Sequence, residues 1–318
     1  MSAALHAPHV SIVVIGRNEG ANIGRAVRSA RRELRATQLA GEILYVDSAS
    51  TDDSALFALE AGAQVHRLGA RPTTAARARN AGLRLARGRW VQFLDGDMQL
   101  RPGWLGFAIE AAEAHALDGL GGQIVERLEG ATIWSRAFGH DWGAGGAKGG
   151  PIGGAGLWRR SSISLVGGFD ESLEVGEDPD LCHRMTHAGF RIERAERPMV
   201  LHELGLRGPA GWWRRAVAVG RSAALVARQH GCRRLRWQRF GQPLAALAAL
   251  VLAAPRGGPG LALLAAISFS LVLRRALLDY RAGLSAGDAA LHAVHVYLVK
   301  LPQLIGGLQV VANPSKKP

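Results

Sequence analysis

Short apolar runs alternate, along the first hundred residues, with stretches whose apolar positions recur at helical spacing. Val10 to Ile15 is a β-branched run, followed by the polar Gly16-Arg17-Asn18-Glu19 and by a helical pattern from about Asn22 to Thr37. Glu42 to Val46 is a second run, ending in Asp47-Ser48-Ala49-Ser50-Thr51-Asp52. Ser50 or Thr51 is placed to cap the next helix, which carries Leu56, Leu59 and Glu60 before Ala61-Gly62 stops it. Gln64 to Arg67 is a third strand, Thr73 or Thr74 caps a helix reaching about Arg87, and Trp90 to Leu94 is a fourth. That fourth strand is apolar without alternation, as expected of a strand buried on both faces. Strands alternating with helices predict an α/β fold with a parallel, doubly wound sheet. Ligands of such sheets sit beyond the carboxyl ends of the strands. The polar clusters Arg17-Asn18-Glu19, Asp47 to Asp52 and Asp95-Gly96-Asp97 are therefore expected at one edge.

Further along, Pro102 opens a helix to about Ala116 and Gly121 to Arg127 reads as a strand. Gly139 to Gly156 reads as a glycine-rich loop carrying His140, Asp141, Trp142 and Lys148, either a flexible linker or a loop that contacts an acceptor. Gly153 to Arg160 is the return strand, a polar loop after Phe169-Asp170 leads to a helix at Pro179, and His202 follows the last strand. From Gly211 the character changes. Trp212-Trp213-Arg214-Arg215 opens an amphipathic helix with aromatics and arginines at one boundary. Pro243 to Ala254 and Gly260 to Leu273 are almost wholly apolar and each shorter than the ~20 residues needed to span a bilayer. Extended by their flanks, they predict a membrane hairpin anchored at the cytoplasmic side by Arg236, Arg239, Arg274 and Arg275, the rival reading being a buried helical pair. Ala289 to Ala312, interrupted by Lys300 and Pro302, is expected to lie in the interface or to re-enter.

Length and charge sharpen this division. The 318 residues suggest about two units at roughly 150 residues each. The expected layout is a catalytic domain over 1–205, a basic amphipathic segment over 206–240 and an apolar helical membrane-associated region over 241–318. The formal charge of +13 raises nucleic acid as a partner, but the excess is concentrated. No acidic residue stands between Glu203 and Asp279, whereas arginines crowd from Arg207 to Arg239, a pattern that suits an anionic membrane surface and argues for no nucleic acid. Cys182 and Cys232 are far apart and support neither a disulfide framework nor a thiolate metal site. Met1 to His9 lacks the basic-then-apolar pattern of a signal peptide.

The candidate chemistry lies in carboxylates. Asp95 and Asp97, spaced by a glycine that lets the chain turn, read either as a solvated turn or as ligands of one hard divalent cation, Mg2+ or Mn2+, completed by a substrate diphosphate. There is no G-x-x-x-x-G-K-[ST] loop and no well-placed G-x-G-x-x-G after the first strand, so a carboxylate-bound cation is the remaining way to neutralise phosphates. Glu177 and Asp178 precede a helix; Asp178 is either its N-cap, with Pro179 at the first helical position, or a general base. His202 is either a structural histidine or a metal ligand.

Five segments in order carry a resemblance: Val10 to Ile15 with Asn18-Glu19, Val46 to Asp52, Ala78-Arg79-Asn80-Ala81-Gly82, Phe93 to Asp97, and Gly176 to Leu181. Together they resemble the family 2 inverting glycosyltransferases over roughly residues 10 to 205. The resemblance implies a GT-A fold, a nucleotide-sugar donor and a glycan or lipid-linked acceptor. It places Asp47 at the nucleotide base with Glu19 near the same pocket, Arg79 toward the diphosphate, Asp95 and Asp97 at the metal, and Asp178, with Glu177 beside it, at the general base. His202 falls where some relatives complete the metal shell. Gly16 stands where a proline is usual and Ala49 where a glycine is usual. Two other classes stay open: a nucleotidyltransferase, which would want a glycine-rich basic loop where only Gly16 and Arg17 stand, and a noncatalytic module binding polyanions or membrane surfaces. The resemblance and the apolar C-terminal third together imply a protein on the cytoplasmic face of the inner or plasma membrane.

Overall fold

The structure is a computed structural model that describes residues 8–69, 73–143, 152–231 and 257–312, with 241, 249 and 255 as isolated residues. The chain divides into two compact units. Unit one comprises Met1–Arg127 and Gly145–Glu203, and unit two comprises Leu128–Ala144 and Leu204–Lys317.

Unit one is built on an eight-stranded sheet: β1 Val10–Gly16, β2 Gly41–Asp47, β3 Gln64–Arg67, β4 Trp90–Asp95, β5 Met98–Leu100, β6 Gly119–Glu126, β7 Leu157–Arg159 and β8 Ile192–His202, in the order β3-β2-β1-β4-β7-β6-β8-β5. β1, β2, β3 and β4 are parallel neighbours, as the alternating pattern predicts. Beyond β4 the sheet is mixed, because β7 runs antiparallel to both β4 and β6, and β5 antiparallel to β8. The sheet is thus mostly parallel, as expected from the sequence, since β6 also runs parallel to β8. Residues 153–156 do not join the return strand, and β5, three residues long, gives too short a period to be read.

Helices α1 Ala21–Thr37, α2 Ser54–Ala61, α3 Ala75–Leu85 and α4 Trp104–Ala114 fall near their expected places. α3 lies close on the sheet because Gly82 has no side chain: a Cβ there would overlap the Val13 side chain. Thr74 caps α3 by accepting from Arg77 N at 3.3 Å. The expected cap of α2 is corrected. Asp53 occupies the N-cap without a side-chain bond, and Ser50 and Thr51 instead join the loop after β1. Asn18 N donates to Ser50 Oγ at 3.0 Å, and Thr51 N donates to Asn18 Oδ1 at 2.8 Å. These side chains serve a neighbouring loop because two parallel strands side by side leave two loops with unpaired amides at one edge. Shorter elements complete the unit, α6 Arg160–Leu165 and α7 Glu177–His187.

Unit two contains α5 Ile133–Gly143, α8 Pro209–His230 and helices at Gly257–Arg281, Ala286–Leu298 and Lys300–Ala312. Residues 139–143 are thus helical rather than part of a glycine-rich loop, and 144–151, with Lys148, lie outside the described residues. α8 and the helix Lys300–Ala312 cross with backbones in contact, since a Cβ at Gly220 would overlap Gln303 O and one at Gly306 would overlap Val217 O. Trp212, Phe138, Ala216 and Val299 form an apolar cluster beside this crossing. A buried polar network adjoins it. His292 and His295 each place Nε2 on an oxygen of Asp141, at 3.1 and 3.2 Å, while Trp212 Nε1 donates to His295 Nδ1 at 3.0 Å.

Two stretches are long and apolar enough to cross a membrane, Gly257–Arg281 and Ala286–Ala312. Gly257–Arg281 has a mean hydropathy of 1.9 over its most apolar window and none of that window is buried, with Leu263 63% and Phe269 68% exposed. The second stretch bends where the sequence is interrupted, Lys300 opening a new helix and Pro302 taking a first-turn position that needs no amide donor. The expected first arm of a hairpin, Pro243 to Ala254, lies outside the described residues apart from residue 249, as do the expected anchors Arg236 and Arg239.

Ala49 has φ +60, a left-handed conformation that costs an L-residue about 1–2 kcal/mol. A glycine at this place would carry no such cost. Ala49→Gly is expected to stabilise unit one by about 1 kcal/mol after glycine's entropy in the unfolded chain is deducted, a rise of ~2–4 °C in the thermal midpoint. A lower midpoint in a calorimetric scan would show that the backbone here carries no strain.

Candidate active site

The carboxyl ends of β1, β2 and β4 lie side by side, with Gly16 opposite Asp47 and Ile15 opposite Asp95 in the parallel registers. Crowding then sets which residues fit. A Cβ at Gly96 would stand 2.5 Å from Ile23 Cδ1 and 2.9 Å from Glu19 Cγ, and one at Gly16 would meet the same two side chains. Gly96 does not adopt a left-handed φ, so the glycine between the two aspartates is demanded by space rather than by the turn. Glu19 lies over it, and the carboxyl group is pushed up to about 7, first by burial and then by the nearby Asp97, Asp95 and Asp52 charges, with Asn22 opposing. Glu19 therefore lies beside the acidic pair, with Asp52 of the loop after β2 also near.

Asp47 is fully buried at the end of β2 and its oxygens are taken up within the protein. Tyr45 Oη donates to it at 3.1 Å, Ser50 N at 3.3 Å, and Arg67 Nε at 3.0 Å. These bonds let Asp47 hold the loop after β2 in shape.

Arg79, on α3, is the hinge of the acidic cluster. Its side chain is 3% exposed and lies where a side chain on Gly154 would otherwise go. Nη1 donates to Glu177 Oε1 at 2.7 Å, Nη2 donates to Asp95 Oδ1 at 2.8 Å, and Asp178 Oδ1 is 3.3 Å from Nη1. Burial disfavours the guanidinium charge, but Asp178, Asp95 and Glu177 together hold its pKa far above the ordinary value. The terminal nitrogens therefore face carboxylates. Asp95 is in turn held above the usual carboxylate range by burial, with Arg79 opposing and Asp97 adding to the rise.

Glu177 and Asp178 stand together in sequence but are treated differently. Gly176, at φ +89, is the N-cap of α7, which begins at Glu177 with no side-chain cap. Asp178 is thus not the cap, and Pro179 lies inside the first turn. Glu177 takes the direct bond from Arg79. Asp178 Oδ1 is buried and receives no hydrogen bond among the described residues. Burial pushes the Asp178 carboxyl up to about 7, against Arg79 and with help from Glu177 and Asp95.

On the other side, His202 is the last residue of β8 rather than beyond it. Its Nε2 lies 3.2 Å from Asp97 Oδ2 and its Nδ1 2.8 Å from Glu126 Oε2. Burial works against protonation, yet the bonds to Asp97 and Glu126 carry the imidazole up to about 9. Nothing in the sequence singled out Glu126, which ends β6 like many polar strand ends. Among the described residues, no three histidine, cysteine or carboxylate side chains already converge on one point as a metal cage. What is present is an Asp97–His202 pair flanked by Asp95 and Glu19, an excess of carboxylates whose mutual repulsion a cation would relieve. The donor set of carboxylate oxygens with one imidazole fits Mg2+ or Mn2+ with shell positions left to substrate oxygens.

Residues 11–160 match the family model described as Glycosyl transferase family 2. The Pre-mycofactocin glycosyltransferase of Mycobacterium tuberculosis is 34% identical over 172 residues, which is 49% of this chain and 35% of the relative. The Succinoglycan biosynthesis protein ExoO of Rhizobium meliloti is 38% identical over 109 residues, 34% of this chain and 30% of that protein. The chain thus spans about a third of the length of these curated relatives. Among solved structures, the mannosyltransferase PcManGT from Pyrobaculum calidifontis, in complex with GDP-Man and Mn2+, superposes with a TM-score of 0.63 at 20% identity, over 93% of this chain and 88% of that one. TarS 1-349 of S. aureus, in complex with UDP-GlcNAc, gives 0.51 at 16% identity, over 92% and 91%. At these identities the likeness establishes the GT-A fold.

Removing Arg79 leaves three carboxylates with no counter-ion in a buried place, a loss expected to cost about 3–5 kcal/mol. In Arg79→Leu the folded state then favours protonated carboxyls, so their folded pKa values rise above the unfolded ones and the variant gains stability as pH falls. Thermal midpoints measured from pH 8 to pH 5 should rise for the variant relative to the parent. Parallel curves would mean that the guanidinium is not what balances the cluster.

Proposed function

We propose, from the match of residues 11–160 to the family 2 glycosyltransferase model and from the GT-A sheet that carries them, that the protein moves a sugar, with inversion, from a nucleoside-diphosphate donor to a hydroxyl of a glycan or lipid-linked acceptor, assisted by Mg2+ or Mn2+. The observation that carries this reading is the contrast between Glu177, bonded to Arg79, and Asp178, whose buried Oδ1 receives no hydrogen bond among the described residues. A carboxylate with a lone pair free and a pKa of about 7 is poised to take a proton near neutral pH. In this role Asp178 accepts the acceptor's hydroxyl proton as its oxygen bonds the anomeric carbon and the nucleoside diphosphate leaves from the opposite face. Asp95, Asp97 and His202 would hold the cation, which when bound offsets the charge of the departing diphosphate. Arg79 fixes Asp95, Glu177 and Asp178 relative to one another, and Glu19 adds a further carboxylate beside the metal pair. Asp47 would contact the nucleotide base, its bonds to Arg67 and Ser50 shaping that pocket.

The same edge supports this over the rival classes. A nucleotidyltransferase would release pyrophosphate instead of a nucleoside diphosphate, and a noncatalytic module would need no buried carboxyl oxygen left without a hydrogen bond. The solved neighbours hold GDP-Man and UDP-GlcNAc, which supports a nucleotide-sugar donor without choosing its base. For unit two, the exposed apolar helix Gly257–Arg281 supports association with the cytoplasmic face of a membrane, where a lipid-borne acceptor would be at hand.

Asp178→Asn keeps the shape but accepts no proton, so turnover should fall on the order of 10²–10⁴-fold with donor affinity little altered. In the parent, the rate should fall as pH drops through about 7, since protonated Asp178 has no lone pair to offer. A near-parental rate for the asparagine variant, or a product that keeps the donor's anomeric configuration, would sink the proposal. Full-length protein should stay with membranes through a high-salt wash, because salt screens arginines but leaves apolar burial intact. Complete release by salt would show peripheral attachment.

A further inference from the structure

We propose that Glu126 is a positioning residue that turns His202 into a metal ligand, an inference that rests on the reading of Asp97 and His202 given above. The two residues end adjacent parallel strands and are direct partners in the β6–β8 register. Their side chains are 3% and 4% exposed. A carboxylate only accepts, so each His202 nitrogen carries hydrogen toward its own carboxylate, Nδ1 toward Glu126 at 2.8 Å and Nε2 toward Asp97 at 3.2 Å. A cation bound by Asp97 would displace the Nε2 proton while Glu126 keeps hydrogen on Nδ1, so Nε2, the atom beside Asp97, is the one that would supply a lone pair.

The backbone fixes the same frame from both sides. Arg127 N donates to His202 O at 2.8 Å and Glu203 N donates to Asp97 O at 3.2 Å. β5 pairs with β8 so that Met98 stands opposite His202. A histidine at an open strand end would choose freely between two tautomers and turn about its ring axis. Here strand register brings a buried carboxylate to one nitrogen and an acidic metal candidate to the other. Outer carboxylates of this kind orient the imidazole and raise the basicity of the ligating nitrogen. Glu126 does this without reaching the cation or the substrate.

The test is Mn2+ alone, titrated into the full chain and followed by the electron paramagnetic resonance signal of free Mn2+. Glu126→Gln is isosteric but uncharged, and its amide can offer a donor to Nδ1, which sends the ring proton to Nε2 and blocks that lone pair. It is expected to weaken Mn2+ binding about 10–100-fold, while the melting midpoint without Mn2+ moves far less. The Mn2+ concentration for half-maximal rate should rise more than kcat at saturating Mn2+ falls. His202→Ala separates the two layers of the argument. If His202→Ala weakens Mn2+ binding and Glu126→Gln does not, the role of Glu126 is wrong and that of His202 stands. If neither does, His202 is not a ligand and both readings fall. Should the glutamine variant not fold, Glu126→Asp, which keeps the charge but draws it back from the ring, takes its place, and unchanged Mn2+ affinity in that variant overturns the proposal.

Discussion

The interaction on which the site depends is the buried guanidinium of Arg79. One cation, 3% exposed, meets Asp95 at the end of a strand and Glu177 and Asp178 at the start of a helix. Both ends of the guanidinium are planar donors, so the bond to Glu177 also dictates where Asp95 is held. The room for it is made by Gly154, whose missing side chain would otherwise coincide with Nη2. The phenyl ring of Phe169 lies 5.4 Å from the guanidinium carbon, and Asn80, next in sequence, ties Phe169 down through both its backbone N and O. The helix segment from Ala78 to Gly82 is therefore a clamp: Arg79 holds the acids, Asn80 holds the loop, and Gly82 lets the helix lie on the sheet.

One guanidinium does not neutralise the whole edge. Glu19, Asp95 and Asp97 crowd around Gly96, and the raised carboxyls of Glu19 and Asp95 record both burial and mutual repulsion. In the structure, His202 partly answers this by bonding Asp97 while Glu126 bonds its other nitrogen. Such an edge holds charge that folding alone does not balance, and a ligand that brings positive charge would stabilise it. This is the physical link between the packing of Gly16 and Gly96 and the divalent cation proposed for this edge.

Unit two obeys different rules. Its tight crossing depends on Gly220 and Gly306, which bring helix backbones together without side chains between them. Its interior also holds a polar network, in which Asp141 receives two imidazoles. Trp212 donates to His295 Nδ1, so Nε2 of that ring carries the hydrogen and bonds Asp141. That arithmetic makes the network a set of hydrogen bonds rather than a metal centre. Its outer surface, in contrast, leaves Gly257–Arg281 with large apolar side chains in the open. A monomer in water does not retain so long an apolar helix face without something to cover it.

The sequence by itself determined the four parallel strands, the helices between them and the convergence of Glu19, Asp47, Asp95 and Asp97 on one edge. The reason is that period and strand direction are local properties: apolar runs name the strands, and the right-handed crossover places their ends together. Ala49 could be marked as a departure, but its left-handed φ shows why a glycine suits the place. What only the tertiary structure decided was partnership. Glu126 meets His202 across 76 residues and Arg79 meets Glu177 across 98, and no periodicity records contacts at that separation. The same holds for the difference between Glu177 and Asp178. They are neighbours in sequence and both lie within ion-pair reach of Arg79, yet one receives its hydrogen bond and the other keeps an oxygen with no hydrogen-bond partner among the described residues, because which carboxylate is bonded depends on where a distant guanidinium is buried.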